Sequence, residues 1–201
     1  MYELRWMQGT ADFLGFEHQR RRFFIVGRRR DVDLVAMLGR LPLAPLRDLL
    51  PDWAAEPRRV VAKADDRFKE RMHVMGNAVV PACSYFAFCK LAGLPVAPPE
   101  RRARRSFVVD PKAYKPPRGT TKGPALKEAG LLRAPTTLRL IPTPRAGNTG
   151  ANNFLTERSM RDLCTFVRFE RDTPDALRAK KPNMAWVEFL MGYRPGYTLL
   201  E

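Results

Sequence analysis

A short apolar run between two clusters of arginine constrains the fold of this chain more than any other stretch. Residues 20–30 read RRRFFIVGRRR, so that residues 23–26 are apolar throughout and three arginines stand at each end of the segment. A four-residue run of aromatic and β-branched side chains predicts a central, buried strand. The sequence therefore sets fixed positive charge directly beside a strand that must be buried.

The length and the net charge of the chain limit its number of domains and the type of partner it can bind. With 201 residues and a hydrophobic fraction of 45%, the chain is long enough for one domain with a core and an appendage. Lysine and arginine number 36 against 21 aspartate and glutamate, which gives a net charge of +15. A surplus of this size favours a polyanionic partner, with nucleic acid first and a membrane surface second.

The membrane alternative is the weaker of the two. No uninterrupted apolar stretch approaches the ~20 residues that span a bilayer, and the N-terminus lacks the pattern of a signal peptide. We therefore expect a soluble intracellular protein without a membrane partner. Three cysteines without a Cys-x-x-Cys pair, together with two histidines, cannot supply an ordinary closed zinc site, so we expect no metal and reduced thiols.

The first part of the chain, residues 1–94, reads as compact structure. It contains the strand, a helical stretch that begins at Asp33 and that Gly39 can cap, and the segment 81–92. This last segment, PACSYFAFCKLA, opens with proline and is apolar nearly all round, which predicts a buried helix.

Two further parts follow. Residues 95–135 are rich in proline and basic residues and predict an exposed linker with little core of its own. Residues 136–201 predict a small unit that is rich in helix. One face of its predicted helix is formed by residues at i, i+3 and i+4, namely Trp186, Phe189 and Leu190.

Two of the arginines form a candidate binding pair. Residues at i and i+2 of a strand point the same way, so Arg20 and Arg22 would lie together if the strand extends backward. A pair of planar, permanently charged guanidinium groups suits phosphate oxygens and the edge of a base. The alternative is a solvated fringe, in which both arginine clusters remain in water.

The stretch GFEHQRRRFFIVG resembles the eighth motif of the cytosine-5 DNA methyltransferases. The family pattern is Gln or His, any residue, Arg, any residue, Arg, followed by a strand that ends in Val-Gly. His18, Arg20 and Arg22 take the three polar positions. The resemblance implies that these residues contact DNA, that Arg22 reaches the flipped cytosine, and that Arg20 helps to hold the DNA backbone in the active site.

A second segment is similar to the tenth motif of phage-type enzymes in this family. Residues 76–81 read GNAVVP and match the family core without a gap, and the upstream residues Trp53 and 56–58 also resemble it. The resemblance implies a loop that borders an S-adenosylmethionine pocket, with Asn77 and Ala78 as cofactor-binding residues. An ordinary helix-entry turn is the alternative.

Two elements nearer the C-terminus resemble segments of phage DNA methyltransferases. One is the Pro-Thr-Pro element at 142–144, and the other is PNMAWVEFLMGYRPGYT at 182–198. The second departs from the family pattern at four positions, which are Met184, Phe189, Arg194 and Tyr197. We interpret its aromatic and methionine residues as packing rather than as contacts to a base.

The catalytic half of the family is missing from this sequence. Methyl transfer to carbon 5 of cytosine needs a thiolate, an acidic partner and a Gly-rich cofactor loop. The family supplies them from Pro-Cys, Glu-Asn-Val and Phe-x-Gly-x-Gly motifs, and none of these occurs here. We interpret Cys83, Cys89 and Cys164 as structural. The resemblance therefore implies a second polypeptide that carries the catalytic cysteine and the cofactor loop.

The resemblance also implies an α/β fold, in which the C-terminal portion of a Rossmann-like methyltransferase sheet and its helices precede the basic linker and the small α-rich unit. The expected activity is methylation of cytosine in double-stranded DNA, in a bacterial cytoplasm or a virus-infected cell. The alternatives are an inactive basic DNA-binding protein descended from a methyltransferase and a structural protein of a virus particle. The segment expected to follow the DNA backbone contains Arg101, Arg102, Arg104, Arg105 and Lys122.

Overall fold

The computed structural model describes residues 1–39, 43–62, 65–97, 107–109, 136–138, 140–145, 162–170 and 181–199. Four strands and five α-helices lie in these ranges. In chain order they are β1 (Tyr2–Thr10), β2 (Arg21–Arg29), α1 (Leu34–Leu38), α2 (Phe68–Asn77), α3 (Pro81–Ala92), β3 (Phe107–Val109), β4 (Thr136–Leu138), α4 (Leu163–Phe169) and α5 (Met184–Leu190), with short 3-10 helices at Ala11–Leu14, Leu46–Leu49 and Trp53–Ala55.

β1 and β2 form an antiparallel sheet in which Tyr2 pairs with Arg29 and Thr10 pairs with Arg21. In both strands the side chains alternate between a half-buried face and an exposed face. The half-buried face, which includes Met7 and Phe24, packs against the main core, and both strands contact α3. The predicted strand is confirmed, but within the described part of the chain only one of its faces is buried.

The predicted helices of the first part are confirmed. Asp33 caps α1 by accepting a hydrogen bond from the amide of Ala36, and Gly39 follows the last turn. α3 begins at Pro81 and is buried along most of its length, and Gly93 ends it with a φ of 81°. Proline suits the first turn of a helix because its missing N–H has no partner there, and glycine suits the left-handed residue that ends one.

By length and composition alone, the segment Phe68–Ala92 is a candidate membrane span, which differs from the expectation that no stretch of this length would qualify. In the fold it consists of α2 and α3, which are interrupted at residues 78–80. Buried residues of both helices belong to the hydrophobic core. α2 also carries the buried, charged Arg71, which pairs with Glu188.

The C-terminal helix α5 packs in the same core as the first part of the chain. Trp186, Val187 and Leu190 are fully buried. They belong to the same hydrophobic cluster as residues of α2, of α3 and of the 3-10 helix Ala11–Leu14 that follows β1. The predicted helix is confirmed, and Gly192 adopts a φ of 77° just after it. Burial of Trp186 also confirms its interpretation as a packing residue.

The described strands form two separate two-stranded antiparallel sheets, β1–β2 and β3–β4. A Rossmann-like sheet is not seen among these residues, so a partial methyltransferase fold stays a prediction. β3 lies inside the segment 95–135 that we predicted as a linker, and it pairs with β4 from the next part. The linker therefore includes a strand, and the boundaries of the three parts stay predictions.

Candidate functional site

Arg20 lies at the centre of the candidate site, between the 3-10 helix after β1 and the first residue of β2. Its φ of 21° makes it the one described residue other than glycine with a positive φ. The residue is only 5% exposed. Residues held in sparsely populated backbone conformations are concentrated at functional sites, which makes this position a candidate on geometry alone.

The guanidinium group of Arg20 binds the loop between α2 and α3. Nη2 donates a 2.8 Å hydrogen bond to the carbonyl oxygen of Gly76 and a second, short one to the carbonyl oxygen of Ala78. The hydroxyl group of Tyr193 donates a 2.6 Å bond to the carbonyl oxygen of Val79. Side chains from two distant segments therefore hold three residues of the GNAVVP segment.

The Pro-Thr-Pro element at 142–144 is also hydrogen-bonded to Arg20. Arg20 Nη1 donates a 3.0 Å hydrogen bond to the carbonyl oxygen of Pro144, and the amide of Arg20 donates a 3.2 Å bond to Thr143 Oγ1. The amide of Ile141 donates to the carbonyl oxygen of Glu17, three positions before Arg20. The guanidinium group of Arg20 thus joins the segments near positions 77 and 143, and Tyr193 contacts the first of these through Val79.

The electrostatics of Arg20 are those of a buried cation without a counter-anion. Its bonded partners are carbonyl oxygens, and no carboxylate of the described residues forms an ion pair with it. Its Nε is buried without a hydrogen-bond partner. Burial, with a smaller contribution from nearby Arg22, lowers the pKa of Arg20 to about 10, so the group stays charged at neutral pH.

Arg22 differs from Arg20, although the sequence grouped them as a pair. It lies in β2, opposite Gly9, and is half-buried. Its Nη1 donates a 2.9 Å bond to the carbonyl oxygen of the adjacent Arg21. Arg20 lies outside the strand in a different backbone conformation, so strand alternation does not apply to it. The two guanidinium groups are close enough to interact electrostatically, but only Arg20 is fixed by distant segments.

His18 is fully buried, in contrast to its expected place at a DNA surface. Its Nε2 donates a 2.9 Å hydrogen bond to the carbonyl oxygen of Leu190 at the end of α5, and its ring contacts Phe16 edge-on. Burial lowers the pKa of His18 to about 3, so the ring is neutral at physiological pH. Contact with DNA would require this packing to open, and it stays a prediction.

The loop itself differs from the predicted Gly-Asn turn. Gly76 and Asn77 form the last two residues of α2, and the break in the helical chain begins at Ala78. The amide of Asn77 is exposed and lies 3.1 Å from the Nε2 atom of His73. Propensity could not predict this, because glycine and asparagine are both typical of positions just after a helix.

These residues do not by themselves form a pocket for S-adenosylmethionine. The carbonyl oxygens of Gly76 and Ala78 are bonded to Arg20, and the exposed amide of Asn77 is bonded to His73. A separate apolar cavity of about 220 Å³ between β1 and α3 is lined by Met7, Phe13 and Phe86, among others, and includes neither Asn77 nor Ala78. This volume is below the range of pockets for drug-sized ligands. The S-adenosylmethionine site at Asn77 and Ala78 stays a prediction.

A buried charge network that sequence reasoning missed joins α2 to the C-terminal turn. Arg71 Nη2 lies 2.9 Å from Glu188 Oε1, and Arg71 Nε donates a 2.7 Å bond to Thr198 Oγ1. Burial alone would raise the pKa of Glu188, but hydrogen bonds from Thr198, Arg71 and the backbone outweigh it and hold the pKa below its usual range. In the sequence, the signal for this network was the single carboxylate of Glu188 inside an otherwise apolar helix.

The residues upstream of the GNAVVP segment also contact α5. Trp186 Nε1 donates a 2.9 Å bond to Glu56 Oε1, and the side-chain amide of Asn183 donates a 2.8 Å bond to the carbonyl oxygen of Arg58. The ring of Trp53 packs edge-on against Phe189. The matched positions of these two segments are therefore in direct contact with one another.

The three cysteines fit their interpretation as structural residues. Cys83, Cys89 and Cys164 are free and buried. Burial, with a contribution from Asp12, raises the pKa of the Cys83 thiol to about 12, which suits packing and not nucleophilic attack. The predicted DNA-binding residues beyond position 100 lie outside the described residues, and they are Arg101, Arg102, Arg104, Arg105 and Lys122.

Neither family models nor curated proteins nor solved structures match the sequence or the fold.

Proposed function

We propose that this chain is the C-terminal, specificity-bearing part of a DNA cytosine-5 methyltransferase, which transfers a methyl group from S-adenosylmethionine to cytosine in double-stranded DNA. The catalytic half is supplied in trans. The observation that carries the proposal is the set of hydrogen bonds from Arg20 to Gly76, Ala78 and Pro144. These bonds join three segments that resemble separate parts of this enzyme family.

Arg20 and Arg22 have different roles in this proposal. Arg20 positions the loop after α2 because its planar fork reaches carbonyl oxygens of two segments at once. Arg22 is half-buried and, among the described residues, is bonded only to a neighbouring carbonyl oxygen, so its guanidinium group can turn toward a flipped base and its phosphate. The charge of Arg20 adds to the positive potential at this point.

The net charge of +15 supports DNA as the partner, since phosphate contacts supply most of the sequence-independent affinity for DNA. The basic segment with Arg101, Arg102, Arg104, Arg105 and Lys122 would follow the backbone on either side of the target base. Asn77 and Ala78 would form one border of the methyl donor's site, and the second polypeptide would contribute the remainder. The nucleophilic thiolate also belongs to that polypeptide.

Reconstitution with a catalytic half tests the proposal. The half should carry the Pro-Cys, Glu-Asn-Val and Phe-x-Gly-x-Gly motifs and end before the eighth motif. We expect the mixture to transfer labelled methyl groups to cytosine in DNA, and Arg22→Ala to abolish the transfer. The matched control is Arg21→Ala, whose side chain points to the exposed face of the same strand. If the Arg22→Ala variant methylated DNA as fast as the original chain, Arg22 would have no role in the active site.

A second candidate is an inactive, basic DNA-binding protein that retains the segments for structural reasons. The burial of His18 and the bonding of Arg20 to backbone carbonyl oxygens favour it, since both residues stabilise the fold without a substrate. The two candidates differ in cofactor binding. Titration of S-adenosylmethionine into the complex with the catalytic half, and into that half alone, separates them, because only a true subunit raises the affinity.

A further inference from the structure

The apolar cavity of about 220 Å³ between β1 and α3 is separate from the contacts of Arg20. Its walls come from three elements, which are β1, α3 and the 3-10 helix Ala11–Leu14. The side chains that make the walls apolar are those of Met7, Phe13, Leu14, Cys83, Phe86 and Ala87. Three of these residues, Leu14, Cys83 and Phe86, belong to the main hydrophobic core, so the inner wall of the cavity is part of the stable fold.

The cavity is larger than ordinary packing leaves. Protein interiors contain few voids bigger than a water molecule, whose share of liquid volume is about 30 Å³. An apolar cavity of about 150 Å³ is enough to bind benzene, whereas pockets for drug-sized ligands begin at about 300 Å³. A volume of about 220 Å³ lies between these two limits and has room for one aromatic ring or two fused rings.

Phe13 lies on the solvent side of the cavity. Its side chain is 50% exposed, whereas the other aromatic wall residue, Phe86, is buried. The two rings are tilted, with their centroids 5.6 Å apart. Exposed side chains change rotamer within picoseconds to nanoseconds. Phe13 can therefore turn aside and admit a ligand while the core beneath it stays packed.

The lining of the cavity excludes charged and strongly polar ligands. None of the lining residues carries a charge, and its polar side chains are those of Gln8, which is exposed, and Thr10. The Cys83 thiol is protonated at neutral pH because burial raises its pKa to about 12. A nucleobase or an anion would lose hydrogen bonds to water in this cavity without replacing them. The ligand that fits is therefore neutral and apolar.

The chemistry of the walls favours an aromatic ring over an aliphatic chain. Met7 and Cys83 contribute polarizable sulfur atoms, which suit contacts with aromatic rings. Phe13 and Phe86 contribute rings, which pair with a further ring in offset or edge-to-face arrangements. We propose that the cavity between β1 and α3 is a binding site for a small, neutral aromatic molecule of one or two rings. This binding is independent of the proposed methyl transfer.

Calorimetric titration of benzene and of indole into the full chain tests the proposal. We expect dissociation constants of roughly 0.1–1 mM, which is the range open to ligands of so few atoms. Phe13→Ala removes an aromatic wall and should weaken binding about fivefold. The matched control is Phe88→Ala, which changes a partly exposed phenylalanine of α3 outside the lining and should bind like the original chain.

A cavity-filling variant provides the second measurement. Ala87→Leu places a larger side chain in the cavity, so it should abolish binding, and filling a cavity usually stabilises a fold. Circular dichroism establishes that the variants are folded. If Ala87→Leu does not fold, the comparison of Phe13→Ala with Phe88→Ala decides, and equal affinities of these two variants would overturn the proposal.

Four further results would overturn the proposal. They are no binding of either probe by the original chain, unchanged binding by folded Ala87→Leu, an affinity for cyclohexane equal to that for benzene, and an affinity for cytosine equal to that for indole. A peptide side chain is the other source of an aromatic ring. If N-acetylphenylalaninamide bound more than tenfold tighter than toluene, the site would take a side chain of a protein and not a free molecule.

Discussion

The guanidinium group of Arg20 donates a 2.8 Å hydrogen bond to the carbonyl oxygen of Gly76, which lies 56 positions later in the chain. This contact joins the start of β2 to the end of α2. Because the same group also reaches Ala78 and Pro144, one side chain determines how three segments are arranged. The buried positive charge is tolerated through carbonyl dipoles, since no described carboxylate neutralises it.

Replacing Arg20 with lysine tests this arrangement. Lysine keeps the charge but lacks the planar fork, so at least one of the carbonyl oxygens loses its partner. We expect Arg20→Lys to lower the free energy of unfolding by about 2 kcal/mol in urea titrations. Arg22→Lys is the matched control, and its effect should stay within about 0.5 kcal/mol. Equal effects of the two substitutions would show that the fork does not fix the loop.

Gly192 and Gly15 form a second matched pair. Both have a positive φ, of 77° and 89°, but a Cβ at Gly192 would lie 2.9 Å from Phe16 Cε1, whereas a Cβ at Gly15 meets no atom within 4 Å. We expect Gly15→Ala to cost about 1–2 kcal/mol for the backbone conformation alone. Gly192→Ala should cost a further ~1–3 kcal/mol because Phe16 must move. Thermal or urea unfolding of both variants measures the difference, and equal losses would contradict the packing.

His18 predicts a specific pH dependence of stability. Its pKa is about 3 in the fold, against 6.5 for an unperturbed histidine, so between these two pH values the unfolded chain binds a proton that the folded chain does not. The contribution of neutral His18 to the free energy of unfolding is therefore fully present above the unfolded pKa, and it is lost as the pH falls below that value. Between pH 6 and pH 5 we expect His18 to lower the free energy of unfolding by about 1 kcal/mol.

The two histidines of the chain provide the control for that measurement. His18→Gln should remove this part of the pH dependence, whereas His73→Gln, at an exposed position, should retain it. Urea titrations at several pH values compare the slopes. A slope that is the same in the original chain and in His18→Gln would contradict a buried, neutral His18.

The basic segment predicts how DNA affinity depends on salt. Each lost phosphate contact lowers the slope of log K against log salt by about 0.9, so replacing four arginines with glutamine should lower it by about 2–4. The variant changes Arg101, Arg102, Arg104 and Arg105. The control removes the same charge from exposed positions elsewhere, at Arg30, Arg47, Arg58 and Arg194. Equal changes in slope, measured by fluorescence anisotropy, would indicate that only net charge matters.

Much of the local structure could be predicted from the sequence. The apolar run at 23–26 predicted a strand, proline at 81 and the apolar residues after it predicted α3, and the spacing of Trp186, Phe189 and Leu190 predicted α5. These features depend on residues close together in the chain. The pairing of β3 with β4 was missed, because the surrounding proline and basic residues are typical of a linker.

The sequence by itself determined the positive charge, the strand β2, the helices α1, α3 and α5, and the identity of the residues that resemble a methyltransferase. Only the tertiary structure decided their environments: Arg20 is buried against carbonyl oxygens, Arg22 remains half-exposed, and Glu188 pairs with Arg71. The physical reason is that helix and strand periodicity are local, whereas burial and charge pairing depend on segments that lie more than fifty residues apart and meet only in the folded chain.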